Sequence, residues 1–187
     1  MSLAKVQNFS ISLDGFGTGE GLSREHPFGH AGERLHEWMF ETRWWRKLVG
    51  KPGGSRGVDD ALVRQYDIGI GAEIMGAGKF GYPGWQDDPD WSGTTFHFVD
   101  ASPADALAMA RDAAQGQGVR IGGGVSVVRD FFAAGLVDYA HIVVVPILLG
   151  RGVRVWDGLE ALEQSYEIEA ASSPSGVTHL TFTRRGL

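Results

Sequence analysis

Cysteine is absent from the 187 residues. That absence removes disulfides, thiolate nucleophiles and cysteine-ligated metal at once. Long apolar runs are missing as well: the longest, Ile142 to Leu149, is strand-sized, whereas a bilayer-spanning helix needs roughly 18 to 20 apolar residues. The opening Met-Ser-Leu-Ala-Lys has no apolar core of the kind found in secretion signals. Basic residues never run longer than two, as at Arg184-Arg185, and the net charge is -6. Neither nucleic acid nor a membrane is therefore expected as a partner. A cytoplasmic location fits these absences.

What is present points to one globular domain over residues 1–187. Hydrophobic residues make up 43% and charged residues 21%, enough apolar surface for one sizeable core but little for two. Asn8 to Asp14 alternates polar and apolar, which predicts a first strand. The glycines of Asp14 to Gly21 then predict a flexible loop. Leu35, Trp38, Met39 and Trp45 recur at helical spacing within residues 31–49, predicting one or two helices before Lys51-Pro52-Gly53. Val58 to Gln65 reads as a short helix, Glu73-Ile74-Met75 as a short strand, and Thr94 to Val99 as another strand.

The sharpest helix start is Ser102-Pro103-Ala104-Asp105, with a capping hydroxyl, proline at the first helical position and an acid in the first turn. Val119-Arg120-Ile121 resumes as a strand, Gly122-Gly123-Gly124 turns, and Val125, Val128 and Phe132 begin a helix. His141 to Leu149 has the unbroken apolarity of a strand covered on both faces. Tyr166 to Ala170 and Thr178 to Thr183 flank Pro174-Ser175-Gly176 as a hairpin. Strands interleaved with helices imply an α/β sandwich on a mixed, mostly parallel sheet.

Several groups could carry chemistry. The Gly122-Gly123-Gly124 turn would leave the amides of Val125, Ser126 and Val127 open at a positive helix end, suited to a phosphate; a tight turn with no ligand is the alternative. Gly76-Ala77-Gly78-Lys79-Phe80-Gly81 fits the Gly-x-Gly-x-x-Gly spacing, but Tyr82-Pro83-Gly84-Trp85 follows where a helix would have to open. Lys79 could meet a phosphate or sit solvated. Asp14 could act as an acid or shape a turn. Glu33 and Glu37 could offer a carboxylate to an amino-pyrimidine ring or form a solvated helix face. Trp38, Phe40, Trp44 and Trp45 could wall a flat heterocycle or fill a core. His26, His30 and His36 lack the spacing of a zinc site, and no metal is expected.

Ser12-Leu13-Asp14-Gly15, Ile74-Met75-Gly76, Arg120-Ile121-Gly122-Gly123-Gly124, Gly135-Leu136-Val137-Asp138 and Pro146-Ile147-Leu148-Leu149-Gly150-Arg151-Gly152 occur in that order. Together they resemble the C-terminal reductase domain of the riboflavin-biosynthesis deaminase-reductase, a branch of the dihydrofolate-reductase-like fold. The resemblance implies a three-layer α/β/α sandwich with a C-terminal antiparallel hairpin and NADPH across the strand ends. It places Gly76, Ala77, Gly78 and Lys79 on the adenosine phosphate side of the cofactor. Gly122, Gly123, Gly124, Val125 and Ser126 would take the pyrophosphate, and Leu13, Asp14 and Gly15 would cover the nicotinamide.

The implied reaction is hydride transfer to a pyrimidine- or pterin-like heterocycle, as in 5-amino-6-(5-phosphoribosylamino)uracil reductase or dihydrofolate reductase. Asp14 and Glu37 are the candidate catalytic residues. The chain departs from the family in lacking a deaminase, which implies a standalone reductase. It also passes from Trp85-Gln86-Asp87-Asp88-Pro89 through Trp91-Ser92-Gly93 straight to Thr94, where relatives have a further loop and strand. A nucleotide- or flavin-binding protein without turnover is the alternative, and a homodimer is expected, its one sequence pointer being the apolar strand at 141–149.

Overall fold

The computed structural model describes residues 2–23, 25–80 and 91–187. The first strand, β1 (Ala4–Ser12), begins four residues before the alternating stretch. Its register on the neighbouring strand shifts between Val6 and Phe9. Asn8 sits at that irregularity with φ 53°, a left-handed backbone that asparagine tolerates better than most residues. Strands β3 (Ile70–Ile74), β4 (Gly118–Ile121) and β5 (Tyr139–Val145) run parallel to β1. The hairpin β7 (Tyr166–Ser172) and β8 (Thr178–Arg184) is antiparallel and closes the sheet in the order β3-β4-β1-β5-β8-β7.

On one face lie α5 (Pro103–Ala113) and α6 (Val125–Ala133). Ser102 caps α5 by accepting a bond from the Asp105 amide at 3.2 Å. Val125, Val128, Phe131 and Phe132 are the buried residues of α6, each contributing about 1.5–3 kcal/mol on full burial. The other face is covered by a 3-10 turn (Gly29–Leu35), α1 (Glu37–Phe40), α2 (Arg43–Leu48) and α3 (Val58–Val63), whose Leu35, Trp38 and Val63 meet Val143 and Val145. These are the three layers of the expected sandwich. The layering has a topological cause. β1 travels through α1 to α3 to β3, whereas β3 and β4 return through α5 and α6 in the other direction. Right-handed crossovers of opposite travel lie on opposite faces.

Four local expectations are corrected. The glycine-rich stretch after Asp14 is not all loop: β2 (Phe16–Thr18) pairs antiparallel with β6 (Val153–Arg154). Gly17 permits this, since a Cβ there would stand 2.8 Å from Cγ2 of Val125. The helical stretch 31–49 is split into three short pieces, because Gly32 takes a non-helical φ of 56° and Thr42 starts a new helix by capping the Trp45 amide. The strand at 141–149 stops at Val145, and Leu148 is 69% exposed. β5 lies between β1 and β8, so its apolarity is used inside the core and no longer points to a dimer. Thr94 to Val99 forms no regular element. Among the described residues the sheet ends at β3, so alternation there met no neighbouring ladder, and strand formation depends on one. The segment Trp85 to Pro89 lies outside the described residues.

Candidate active site at the strand carboxyl ends

β1 sends its chain to one face and its neighbour β4 to the other, and at such a reversal a ligand crevice is expected beyond the strands' carboxyl ends. The turn after β4 forms one wall. Gly122 donates its amide to the Ile74 carbonyl at 2.9 Å. Gly123 presses on β3 so closely that a Cβ would lie 2.5 Å from the Gly76 nitrogen and 2.6 Å from the Met75 Cα. Gly124, the N-cap of α6, has φ 64° and ψ 157°, a region open essentially to glycine alone. Among the described residues no side chain caps the helix, no acid occupies its first turn, and a Cβ on Gly124 would face empty space. Gly124 and Ser126 are exposed. Free amides and the helix dipole thus face the crevice together, which suits a pyrophosphate.

The turn after β3 lies alongside. A helical turn, α4 (Ala77–Phe80), does open on Gly76-Ala77-Gly78, contrary to expectation, but it is four residues long. Gly81 to Trp85 lies outside the described residues. Lys79 is not a free cation: Nζ donates to Glu73 Oε1 at 2.7 Å and to the Gly122 carbonyl at 2.6 Å. The same carboxylate accepts Arg120 through Oε2, and Arg120 also reaches Asp67 at 2.9 Å and lies over the Tyr66 ring. Burial opposes ionisation of Glu73, but Lys79 and Arg120 prevail and hold its carboxyl below the usual range. A Cβ on Gly122 would run into that carboxylate. One half-buried acid therefore joins both turns.

The loops after β1 and β5 form the opposite wall. Asp14 accepts bonds from the Ser12 hydroxyl, the Leu149 amide at 3.1 Å and the Gly150 amide at 2.7 Å. The Ser12 bond, with the two amides and despite some desolvation, lowers its pKa to about 2. Asp14 is thus ionised near neutrality and clamps the two loops together. His30 repeats the tie, accepting from the Glu20 amide at Nδ1 and placing Nε2 3.2 Å from the Leu149 carbonyl. Leu13 is 60% exposed and Gly15 rests near Trp156. Leu13, Gly15, Gly76 to Lys79 and Gly122 to Ser126 all lie on this one edge of the sheet.

Residues 88–180 match the model of the RibD C-terminal domain. That segment is similar to the RibD C-terminal domain family. It holds the glycine turn, α6 and the loop after β5, while the Leu13 and Gly76 turns precede it. No curated protein sequence matches the chain. Among solved structures, a protein assigned to riboflavin biosynthesis from Shewanella sp. PV-4 aligns over 99% of both chains at 20% identity and TM-score 0.59. A pyrimidine reductase-like protein of Corynebacterium diphtheriae aligns over 98% of this chain and 91% of its own, at 13% identity and TM-score 0.51. The Thermotoga maritima diaminohydroxyphosphoribosylaminopyrimidine deaminase/5-amino-6-(5-phosphoribosylamino)uracil reductase has the same identity and TM-score over 98% of this chain, which spans 56% of that protein. These proteins share the fold of this chain, a mixed sheet layered between helices.

The expected carboxylate for a substrate ring is not found where it was sought. Glu33 and Glu37 are both exposed, on the outer side of the layer that Trp38 anchors to the sheet by donating to the Ser10 hydroxyl at 3.0 Å. Among the described residues the buried acids of this layer are Asp59 and Asp60 at the start of α3. Asp60 accepts the Trp44 amide, and Asp59 ends a chain of buried groups. Asn8 donates its amide nitrogen to the Val63 carbonyl, so its oxygen faces His141 and accepts from Nδ1 at 2.8 Å. Burial, with His179 adjacent, lowers the His141 pKa to about 3, so the ring is neutral and its Nε2 accepts. His179 then donates from Nδ1 to His141 at 2.9 Å, and its Nε2 lies 2.7 Å from Asp59 Oδ1. The sequence signal was two histidines at apolar strand positions.

Proposed function

We propose that the protein is a reductase of the riboflavin-biosynthesis type that takes hydride from a reduced nicotinamide dinucleotide and delivers it to a pyrimidine- or pterin-like heterocycle. The observation that carries this reading is the uncapped α6 N-terminus, open at the crevice between β1 and β4. The likeness to a pyrimidine reductase-like protein and to a uracil reductase supports it. NADPH is the form that the family resemblance implies.

When bound, the dinucleotide supplies the hydride. The amides of Gly124, Val125 and Ser126 would hold its pyrophosphate against the helix dipole. Leu13, exposed beside the crevice, would cover the reacting ring and exclude water. Asp14 would act as a positioning residue, fixing the loops after β1 and β5 on the two amides it accepts. With Asp14 ionised and Glu37 turned outward, a proton reaches the reduced site from solvent. That observation favours a second reading, a nucleotide- or flavin-binding protein without turnover. Titration with NADPH and NADH, followed by the loss of reduced-nicotinamide absorbance with pyrimidine and pterin substrates, separates the two. Binding with oxidation is expected; binding without oxidation by any such substrate supports the second reading, and no binding refutes both. Sedimentation in the same buffer tests the homodimer.

A further inference from the structure

We infer that the site is built for a dinucleotide whose adenosine ribose lacks the 2′-phosphate, so that NADH binds in preference to NADPH. The inference rests on the reading of the crevice as a dinucleotide site and concerns its adenosine end. With the pyrophosphate at Gly124 to Ser126, the two halves of the ligand lie along the carboxyl edge in opposite directions. One passes toward Leu13 and the clamped loops after β1 and β5, and the other toward the β3 turn at the sheet margin. Substrate has to meet the half that is enclosed by loops, which leaves the adenosine half over Gly76 to Lys79.

A 2′-phosphate brings a charge of about -1.5 to -2 and needs cations or several donors around it. Among the described side chains the β3 turn offers no unpaired one. Gly76, Ala77 and Gly78 carry no polar side chain. Lys79 is closed onto Glu73 and the Gly122 carbonyl. Arg120 is bound by Glu73 and Asp67. Two cations and two carboxylates cancel, and the acid at their centre is the most buried of the group's carboxylates, Glu73. The next cation along the chain after Lys79 is Arg111, with five aspartates between. Arg111 pairs with Asp138, whose side chain accepts the Ala4 amide at the opposite, amino edge of the sheet. Arg151 and Arg154 belong to the other wall, held by Glu20 and stacked on Phe16. A phosphate at the β3 turn would meet Glu73 with Lys79 and Arg120 already paired, whereas a ribose hydroxyl is neutral and can donate to a carboxylate.

Calorimetric titration of the full chain with NADH, NADPH, ADP and adenosine 2′,5′-bisphosphate tests this. NADH is expected to bind at least about tenfold more tightly than NADPH, and ADP more tightly than the bisphosphate, the difference that one unmade charge-assisted bond produces. Ala77→Arg, at an exposed position, is expected to shrink the NADH to NADPH ratio by placing a free guanidinium at the turn. NADPH binding as tightly as NADH overturns the inference and leaves the reductase reading standing. Binding of neither dinucleotide overturns both. A ratio unmoved by Ala77→Arg overturns the placement of the adenosine half.

Discussion

Gly123→Ala adds one methyl group at the point where two turns touch. The new carbon would lie 2.5 Å from the Gly76 nitrogen and 2.6 Å from the Met75 Cα, and backbone at a strand end cannot rotate away as a long side chain can. The turns must part by most of an ångström, which lengthens the Gly122-to-Ile74 bond and strains the Lys79 link between Glu73 and Gly122. Overpacking of this kind costs about 1–3 kcal/mol. For a chain of this size that lowers Tm by about 2–12 °C. Because the displaced turn leads straight into α6, the amides that would receive the pyrophosphate move with it, and dinucleotide affinity is expected to fall at least about tenfold at temperatures where the variant remains folded. Thermal melts and titration of the same samples give both readouts. A melting temperature within error of the parent would show that the turns are not in contact. Unchanged affinity in a destabilised variant would remove the turn from the binding site.

Two further outcomes follow from groups away from that turn. Asp59→Ala leaves His179 Nε2 without its partner in the core and is expected to cost about 1–3 kcal/mol in urea unfolding, with Asp59→Asn intermediate; stability unchanged by Asp59→Ala would refute the buried contact. Stability is also expected to fall as pH drops from 6.5, because burial lowers His36 to about 4 and His141 to about 3, so the unfolded chain binds these protons first. The Asp14 clamp contributes fully above its ordinary value of 3.8 and is lost as pH falls toward 2; pH-dependent melts of Asp14→Asn should lack this last, acid limb while retaining the histidine decline.

The legible parts of the chain were those whose signals are local. Ser102-Pro103 and the terminal hairpin declared themselves because caps and alternation act within a few residues. The Gly122 turn was legible because a strand, three glycines and a helix follow without interruption. The pairing of Phe16–Thr18 with Val153–Arg154 was not, since its partners are far apart in sequence and glycine content argued for a loop. Thr94 to Val99 failed in the opposite sense, an alternating pattern with no ladder to join. Asp14 and Lys79 were found as residues but not as roles: whether a charge is free depends on Gly150 or Glu73 arriving beside it. Glu37 misled because helical spacing in a stretch broken at Gly32 and Thr42 does not fix which side faces inward.

The polar seam from Asn8 to Asp59 bears on how the sheet chooses its alignment. Apolar side chains such as valine and isoleucine exchange places at little cost, so a sheet centre of Val143, Ile142 and Leu180 alone would tolerate slippage better than one carrying directional groups. A slide of β1 or β8 by a single residue past β5 would turn Asn8 or His179 to the wrong face and strand several buried donors at once. Only one alignment satisfies all of them, and it is the alignment that brings Ser12, and with it Asp14, level with the chain leaving Val145. The histidines in the middle of the sheet thereby set the height at which the two loops meet above it.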